Sequence, residues 1–221
     1  MERIVIFGGG LHANVCIDIL EKYSDYLIVG IVDSKYEIGS ELYGYKVIGR
    51  QENISDLVNE FKITAGFISI GENYSRKYVY DFITNILPDF NFINAIHPNS
   101  CISKNVKIGI GTVIMSGAIV NPNCNVGDFC ILNTGAQLEH DSSIGSFSHL
   151  SCGVITGGKV TIGKYCWIAV GATIIDRITI GNNSLVGAGT VVVKDFGDNL
   201  VVYGNPAKYK RTRKEGEGYL K

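Results

Sequence analysis

Charge of one sign is missing from this chain. Its 20 Lys+Arg against 21 Asp+Glu leave a formal net charge of −1, with no basic footprint for nucleic acid. Long apolar runs are missing as well. Only Ile4, Val5 and Ile6 precede Phe7 and the glycines, too few for a signal-peptide core or a membrane span, so a cytoplasmic protein is expected. The six cysteines contain no C-x-x-C spacing, which argues against a zinc ribbon or a redox pair. Histidine is scarce too, with four in the chain.

What the sequence has is a period. From Ile102 to Val192 every sixth residue is aliphatic: Ile102, Ile108, Ile114, Val120 and onward, with Thr156 the one break among sixteen positions. A chain that is 46% hydrophobic would place about seven apolar residues there by chance. Two residues before each aliphatic position stands a small or β-branched side chain, such as Thr112, Ala118, Cys124, Cys130, Ser148 or Cys166. Gly109, Gly127, Gly145, Gly163 and Gly181 recur 18 residues apart. Neither a 3.6-residue helix nor a two-residue strand alternation produces this spacing. A hexapeptide repeat does, and it predicts a parallel β-helix.

Three six-residue faces make one 18-residue turn of a triangular prism. Turns stacked at about 4.8 Å give a rod of roughly 24 Å for some five turns, each burying its apolar residues against its neighbours. Cys124, Cys130 and Cys166 fall in inward slots and read as core residues. Cys152 falls off those slots and reads as a surface or interface thiol. The recurring glycines are expected at a corner that demands positive φ.

The first hundred residues follow another pattern. Apolar runs at Arg3–Phe7, Leu27–Val32, Gly66–Gly71 and Asn91–Ile96 alternate with helical segments, one carrying Val15, Ile19 and Leu20 and another spanning Tyr74–Leu87. That alternation predicts a small parallel sheet with helices on its faces. Pro98 interrupts the last run, so the domains are expected at 1–97 and 98–210, with a basic tail at 211–221. Gly8-x-Gly10-x-x-Ala13, between a strand and a helix, fits a phosphate-approach turn, and Asp33 closes the second strand. A domain this short supplies about half of a full dinucleotide sheet, so a mononucleotide or nucleotide sugar suits it better than NAD. A tight turn with no ligand is the alternative.

Two histidines, His140 and His149, lie inside the prism segment. Leu138 points inward, so His140 belongs on the outer surface, flanked by Glu139 and Asp141. A carboxylate beside an imidazole fixes its tautomer and raises its basicity, as a general base near neutral pH requires. One turn later stand Gly157 and Gly158, expected to leave an open surface above His140. A zinc enzyme on such a prism would need three histidines, so no metal is expected.

Several stretches carry a family resemblance: Gly8-Gly9-Gly10-Leu11-His12, Ile70-Gly71-Glu72-Asn73, Ile131-Leu132-Asn133-Thr134, Glu139-His140-Asp141, Phe147-Ser148-His149 and Gly204-Asn205-Pro206-Ala207-Lys208. They cover nearly the whole chain. It resembles the left-handed β-helix acetyltransferases that N-acetylate nucleotide-linked amino sugars or O-acetylate sialic acids in bacterial surface glycan or glycoprotein synthesis. The resemblance implies a Rossmann-like α/β domain followed by a left-handed parallel β-helix of about five turns. It implies acetyl-CoA as cosubstrate and a homotrimer with active sites between neighbours. His140 is then the catalytic base, sharpened by Asp141, with Asn133 near the transfer site. Acetyl-CoA is expected against His149, Gly158, Val170, Ala188 and Lys208, its phosphates near Lys208, Lys210, Arg211 or Arg213. The nucleotide sugar is expected against Gly8, Gly10, Leu11, His12, Asp33, Ser34, Gly71, Asn73 and Arg76. Leu11 departs from the family, which often has Ser-Gly-His where this chain has Gly10-Leu11-His12.

The implied chemistry is direct transfer to an amino group, at C4 of an amino-dideoxy sugar. O-acetylation of sialic acid or a related sugar stays open, because one base serves both acceptors. A covalent route through Cys152 is disfavoured for want of a matching base. A non-catalytic trimeric nucleotide sensor is the remaining alternative.

Overall fold

The computed structural model describes residues 1–219 apart from Ser24. The chain divides into two compact units, Met1–Ala95 and Ile96–Lys221.

In the first unit, β1 (Glu2–Phe7), β2 (Tyr26–Val32), β3 (Glu41–Leu42), β4 (Tyr45–Gly49) and β5 (Ala65–Ile68) form one sheet in the order β3-β4-β2-β1-β5. The pairs β1–β2, β1–β5 and β2–β4 are parallel, and β3–β4 is an antiparallel hairpin. Three helices accompany them: α1 (Leu11–Leu20), α2 (Ile54–Phe61) and α3 (Asn73–Ile86). β1 and β5 are buried along both faces, as their near-continuous aliphatic sequence requires. α1 turns Ala13, Cys16, Ile17, Ile19 and Leu20 inward, whereas Val15, expected on that stripe, is exposed. The fourth apolar run adds no full strand here, since Phe92 makes only an isolated bridge to Gly66. The hairpin carries no regular apolar period, whereas α2 was overlooked: Ile54, Leu57, Val58 and Phe61 follow the i, i+3, i+4, i+7 spacing of an amphipathic helix.

The second unit is the prism. Two-residue strands stack into three parallel faces. The first runs from Cys101–Ile102 to Val191–Val192, the second from Lys107–Ile108 to Thr179–Ile180, and the third from Val113–Ile114 to Leu185–Val186. The repeat's aliphatic residues fill the interior, Leu132, Leu138, Leu150 and Ile168 each at 0% exposure. Cys124, Cys130 and Cys166 lie among them, and burial pushes the Cys166 thiol up to about 12. Cys152 is exposed.

The 18-residue glycine column has a different cause from the one expected. Gly109, Gly127, Gly145, Gly163 and Gly181 are not at positive φ. A Cβ at Gly127 would lie 2.5 Å from the backbone nitrogen of Ser146, and one at Gly145 2.6 Å from that of Lys164. The backbones of successive turns approach too closely there for any side chain. Positive φ falls elsewhere, and glycine does not monopolise it. Phe129, Phe147 and Tyr165 hold φ of 53°, 60° and 59°. Their rings stack at 5.1 and 5.6 Å, contacts that offset part of the left-handed strain.

The expected basic tail is not separate. Lys208–Thr212 pairs antiparallel with Leu200–Tyr203 as the last strand of the third face, crossing the expected boundary at 210. Arg213 is 1% exposed and donates to the carbonyls of Tyr165 and Glu217 at 3.1 and 2.8 Å. Arg211 forks onto the Glu217 carboxylate. Arg213 is therefore a buried structural cation and not a phosphate contact, while Lys208 and Lys210 stay exposed. No described helix is long and apolar enough to cross a membrane.

Candidate active site

His140 occupies the corner between the first and second faces, after strand Gln137–Leu138 and before Ser143–Ile144. The chain turns at Asp141, whose φ is 59°. Aspartate is among the residues that tolerate this region best. The turn brings Asp141 Oδ2 to 2.8 Å from His140 Nδ1. The other oxygen, Oδ1, accepts from Asn123 Nδ2 at 3.0 Å, one turn earlier. The His140 hydrogen bond and then that of Asn123 hold the Asp141 carboxyl below its ordinary range. An ionised carboxylate accepts from Nδ1–H, which leaves Nε2 as the basic nitrogen.

Nε2 faces the next turn. A Cβ at Gly158 would sit 2.6 Å from it, so the missing side chain is what gives the imidazole its place. The Gly158 N–H is held by Asp176 Oδ1 at 2.9 Å. A hollow of about 400 Å³ opens beside the ring, lined by His140, Gly158, Lys159, Asp176 and Arg177. The His140 side chain is 53% exposed, accessible to a reacting group.

Asn133 and His149 lie elsewhere. His149 opens a strand of the third face and is 4% exposed. Its Nε2 stands 3.3 Å from Asn133 Nδ2, and Trp167 packs on its ring with centroids 4.1 Å apart. Asn133 Oδ1 accepts from the Thr134 N–H at 2.8 Å, which fixes the amide. Val170 and Ala188 protrude at the corner between the third and first faces, and Lys208 lies on the last strand. In a three-sided prism the corner carrying His140 is opposite the third face. One chain therefore does not bring His140 together with Asn133 and His149.

In the first unit a cavity of about 450 Å³ opens where β1, β2 and β5 end. Gly8, Gly10, Leu11, His12, Asp33, Ser34 and Gly71 line it, as expected from the sequence. Gly8 needs its φ of +101°, and a Cβ there would also meet Ile70 at 2.7 Å. The Gly9 N–H donates to Asp33 Oδ2 at 2.7 Å, and Ser69 Oγ donates to the Gly8 carbonyl at 2.6 Å. Asn73 and Arg76 stand behind the wall instead of on it. They are 0% and 1% exposed, with Arg76 donating to the carbonyls of Ile70 and Gly71 and to Asn73 Oδ1. Arg76 acts on the cavity through His12, whose pKa burial and then that guanidinium push down to about 4. His12 is thus held in its neutral form. Sequence reasoning missed Lys35, Tyr36 and Ser69 on the cavity wall. The first two directly follow Asp33 and Ser34, which was the available signal.

A hexapeptide prism with an outward histidine–aspartate pair, preceded in the chain by an α/β unit with a glycine-turn cavity, is the architecture to be compared with known proteins. Comparison with known proteins gives the family. Residues 3–83 match the family described as PglD N-terminal domain, and residues 159–194 match bacterial transferase hexapeptide (six repeats). The chain is similar to perosamine N-acetyltransferase from Caulobacter crescentus, solved as a histidine-to-asparagine variant in complex with CoA and GDP-perosamine. That structure shares 33% identity over 96% of this chain and 98% of the other, with a TM-score of 0.89. The acetyltransferase domain of PglB from Neisseria gonorrhoeae, in complex with acetyl coenzyme A, shares 29% identity over 95% and 99%, with a TM-score of 0.82. UDP-N-acetylbacillosamine N-acetyltransferase of Bacillus subtilis is 34% identical over 119 residues; the match spans 52% of each chain, about half the length of that curated relative. The chain belongs to the nucleotide-amino-sugar N-acetyltransferase family, with its left-handed β-helix.

Proposed function

We propose that this protein transfers the acetyl group of acetyl-CoA to the amino group, at C4, of a nucleotide-linked amino-dideoxy sugar in the cytoplasm. The observation that carries the proposal is the His140–Asp141 pair, anchored by Asn123 and set beneath Gly158 with Nε2 toward the hollow. In the step proposed, the sugar nitrogen attacks the thioester carbonyl, a C–N bond forms and the C–S bond breaks. Nε2 of His140 accepts the nitrogen's proton and returns it to the departing thiolate, so the base is regenerated. The neighbouring Asp141 carboxylate stabilises the imidazolium formed in between. The nucleotide is assigned to the cavity of the first unit, against Gly8, Gly10, Leu11, His12, Asp33, Ser34 and Gly71, where the glycine turn and the N-terminus of α1 suit a phosphate. Acetyl-CoA is assigned to Asn133, His149 and Lys208 along the third face, to Val170 and Ala188 at its corner with the first face, and to Gly158 over the base.

His140 and the third-face residues lie on opposite sides of one prism, so the site we propose forms between copies, in a homotrimer. The test is thiol release from acetyl-CoA with a panel of 4-amino-sugar nucleotides, beside free sialic acid. The wild-type protein should release thiol with an amino-sugar nucleotide, and His140→Ala should lose about 10²- to 10⁴-fold in kcat. Mixing His140→Ala with Asn133→Ala chains should restore about one quarter of wild-type activity if each site draws on two copies. Full activity in His140→Ala would refute the base, and no recovery on mixing would refute the shared site.

A further inference from the structure

The one break in the sixteen-position aliphatic row is Thr156, and the structure has an irregularity at the same place. On the first face, the residue after each aliphatic position ordinarily donates its N–H to the corresponding carbonyl one turn later. Ser103 donates to Val120, Asn121 to Leu138, Gly157 to Ile174 and Ile175 to Val192, at 2.7 to 3.1 Å. Glu139 does not follow. Its N–H goes to the Thr156 hydroxyl, Oγ1, at 3.0 Å. The ladder records the change: neighbouring strands of this face pair at both residues, whereas Gln137–Leu138 pairs with Ile155–Thr156 only at Gln137↔Ile155. Glu139 immediately precedes His140.

Thr156 is 1% exposed among aliphatic neighbours. A hydroxyl in that row gives up apolar burial and a regular ladder bond, and volume-matched Val would restore both. The Glu139 N–H is therefore directed at a buried side-chain oxygen and not at the ladder carbonyl, and it belongs to the Leu138–Glu139 peptide. That peptide carries the backbone of the base. An irregularity that costs stability and falls one residue from the reacting group is expected where function opposes the repeat.

We infer that Thr156 is a positioning residue for His140: its buried hydroxyl, by capturing the Glu139 N–H, sets the backbone from which the imidazole reaches beneath Gly158. The inference rests on the proposed role of His140 as base.

The experiment compares Thr156→Val, Thr156→Ser and His140→Gln with the wild type, reading thiol release, thermal midpoint and the imidazole NMR signal that His140→Gln removes. Thr156→Val should fold with an equal or higher midpoint, lose about tenfold in kcat with the nucleotide-sugar KM within about twofold, and shift the His140 signal. Thr156→Ser keeps the hydroxyl and should retain activity within about threefold. Wild-type kcat and an unmoved His140 signal in Thr156→Val would overturn the inference, as would equal losses in the Ser and Val variants. If His140→Gln itself keeps full activity, the reading of the base fails instead. The NMR signal still reports whether Thr156 sets the imidazole, with or without turnover.

Discussion

Gly158→Ala separates the site from the fold at a single methyl group. The added Cβ would lie 2.6 Å from His140 Nε2, 2.7 Å from Cε1 and 3.2 Å from Cδ2, where unstrained contacts are about 3.5 Å. The imidazole must therefore retreat by about 0.9 Å or swing off its 2.8 Å contact with Asp141. It can do so cheaply, because its side chain is half exposed and Gly158 is not at positive φ. The cost to folding is that of loosening an exposed pair, which is small. The cost to catalysis is larger. A displacement near 1 Å at a reacting group lowers the rate by about 10- to 100-fold, or about 1.4 to 2.7 kcal/mol of activation free energy. Its neighbour gives the opposite outcome. A Cβ at Gly157 would meet the backbone of Asp176, at 2.5 Å from N and 2.9 Å from Cα, and overpacking of this kind costs about 1–3 kcal/mol of stability. Thiol-release kinetics and urea unfolding of both variants make the comparison. Unchanged kcat in Gly158→Ala, or equal destabilisation by the two alanines, would refute the placement of His140 beneath Gly158.

Asn123→Gly keeps a residue suited to the corner's φ of 64° while deleting the amide that orients Asp141. It should lower kcat about threefold to tenfold with little change in the unfolding midpoint, and an unaltered rate would remove Asn123 from the site. His12 has a folded pKa of about 4 against an ordinary 6.5, so between those values the unfolded chain binds more protons. Stability should fall as pH drops from about 6.5 towards 4, and urea midpoints across that window should show a shallower slope in His12→Gln. Of the six cysteines, only Cys101 and Cys152 are exposed. A chromogenic disulfide should label at most two thiols rapidly in the native protein and six after denaturation, and a third fast thiol would contradict the burial of Cys16, Cys124, Cys130 and Cys166.

The six-residue period is a local signal repeated many times, so the sequence by itself determined the prism, its aliphatic interior, the burial of Cys124, Cys130 and Cys166, and the outward position of His140. Each follows from counting along one strand. Counting also found Thr156 as the break in the row. Tertiary structure alone decided what each deviation does, because the relevant distances lie between turns and between distant segments. The Gly127 column serves backbone stacking and not positive φ, a matter of how closely two turns approach. Arg76 acts from behind the cavity wall because α3 turns it inward, which helical periodicity did not reveal. Arg213 is buried because the chain returns antiparallel along Leu200–Tyr203, where no hexapeptide pattern operates. Above all, His140 and His149 are only nine positions apart in sequence. Nine residues are one and a half faces of an 18-residue turn, and the prism carries them to opposite sides.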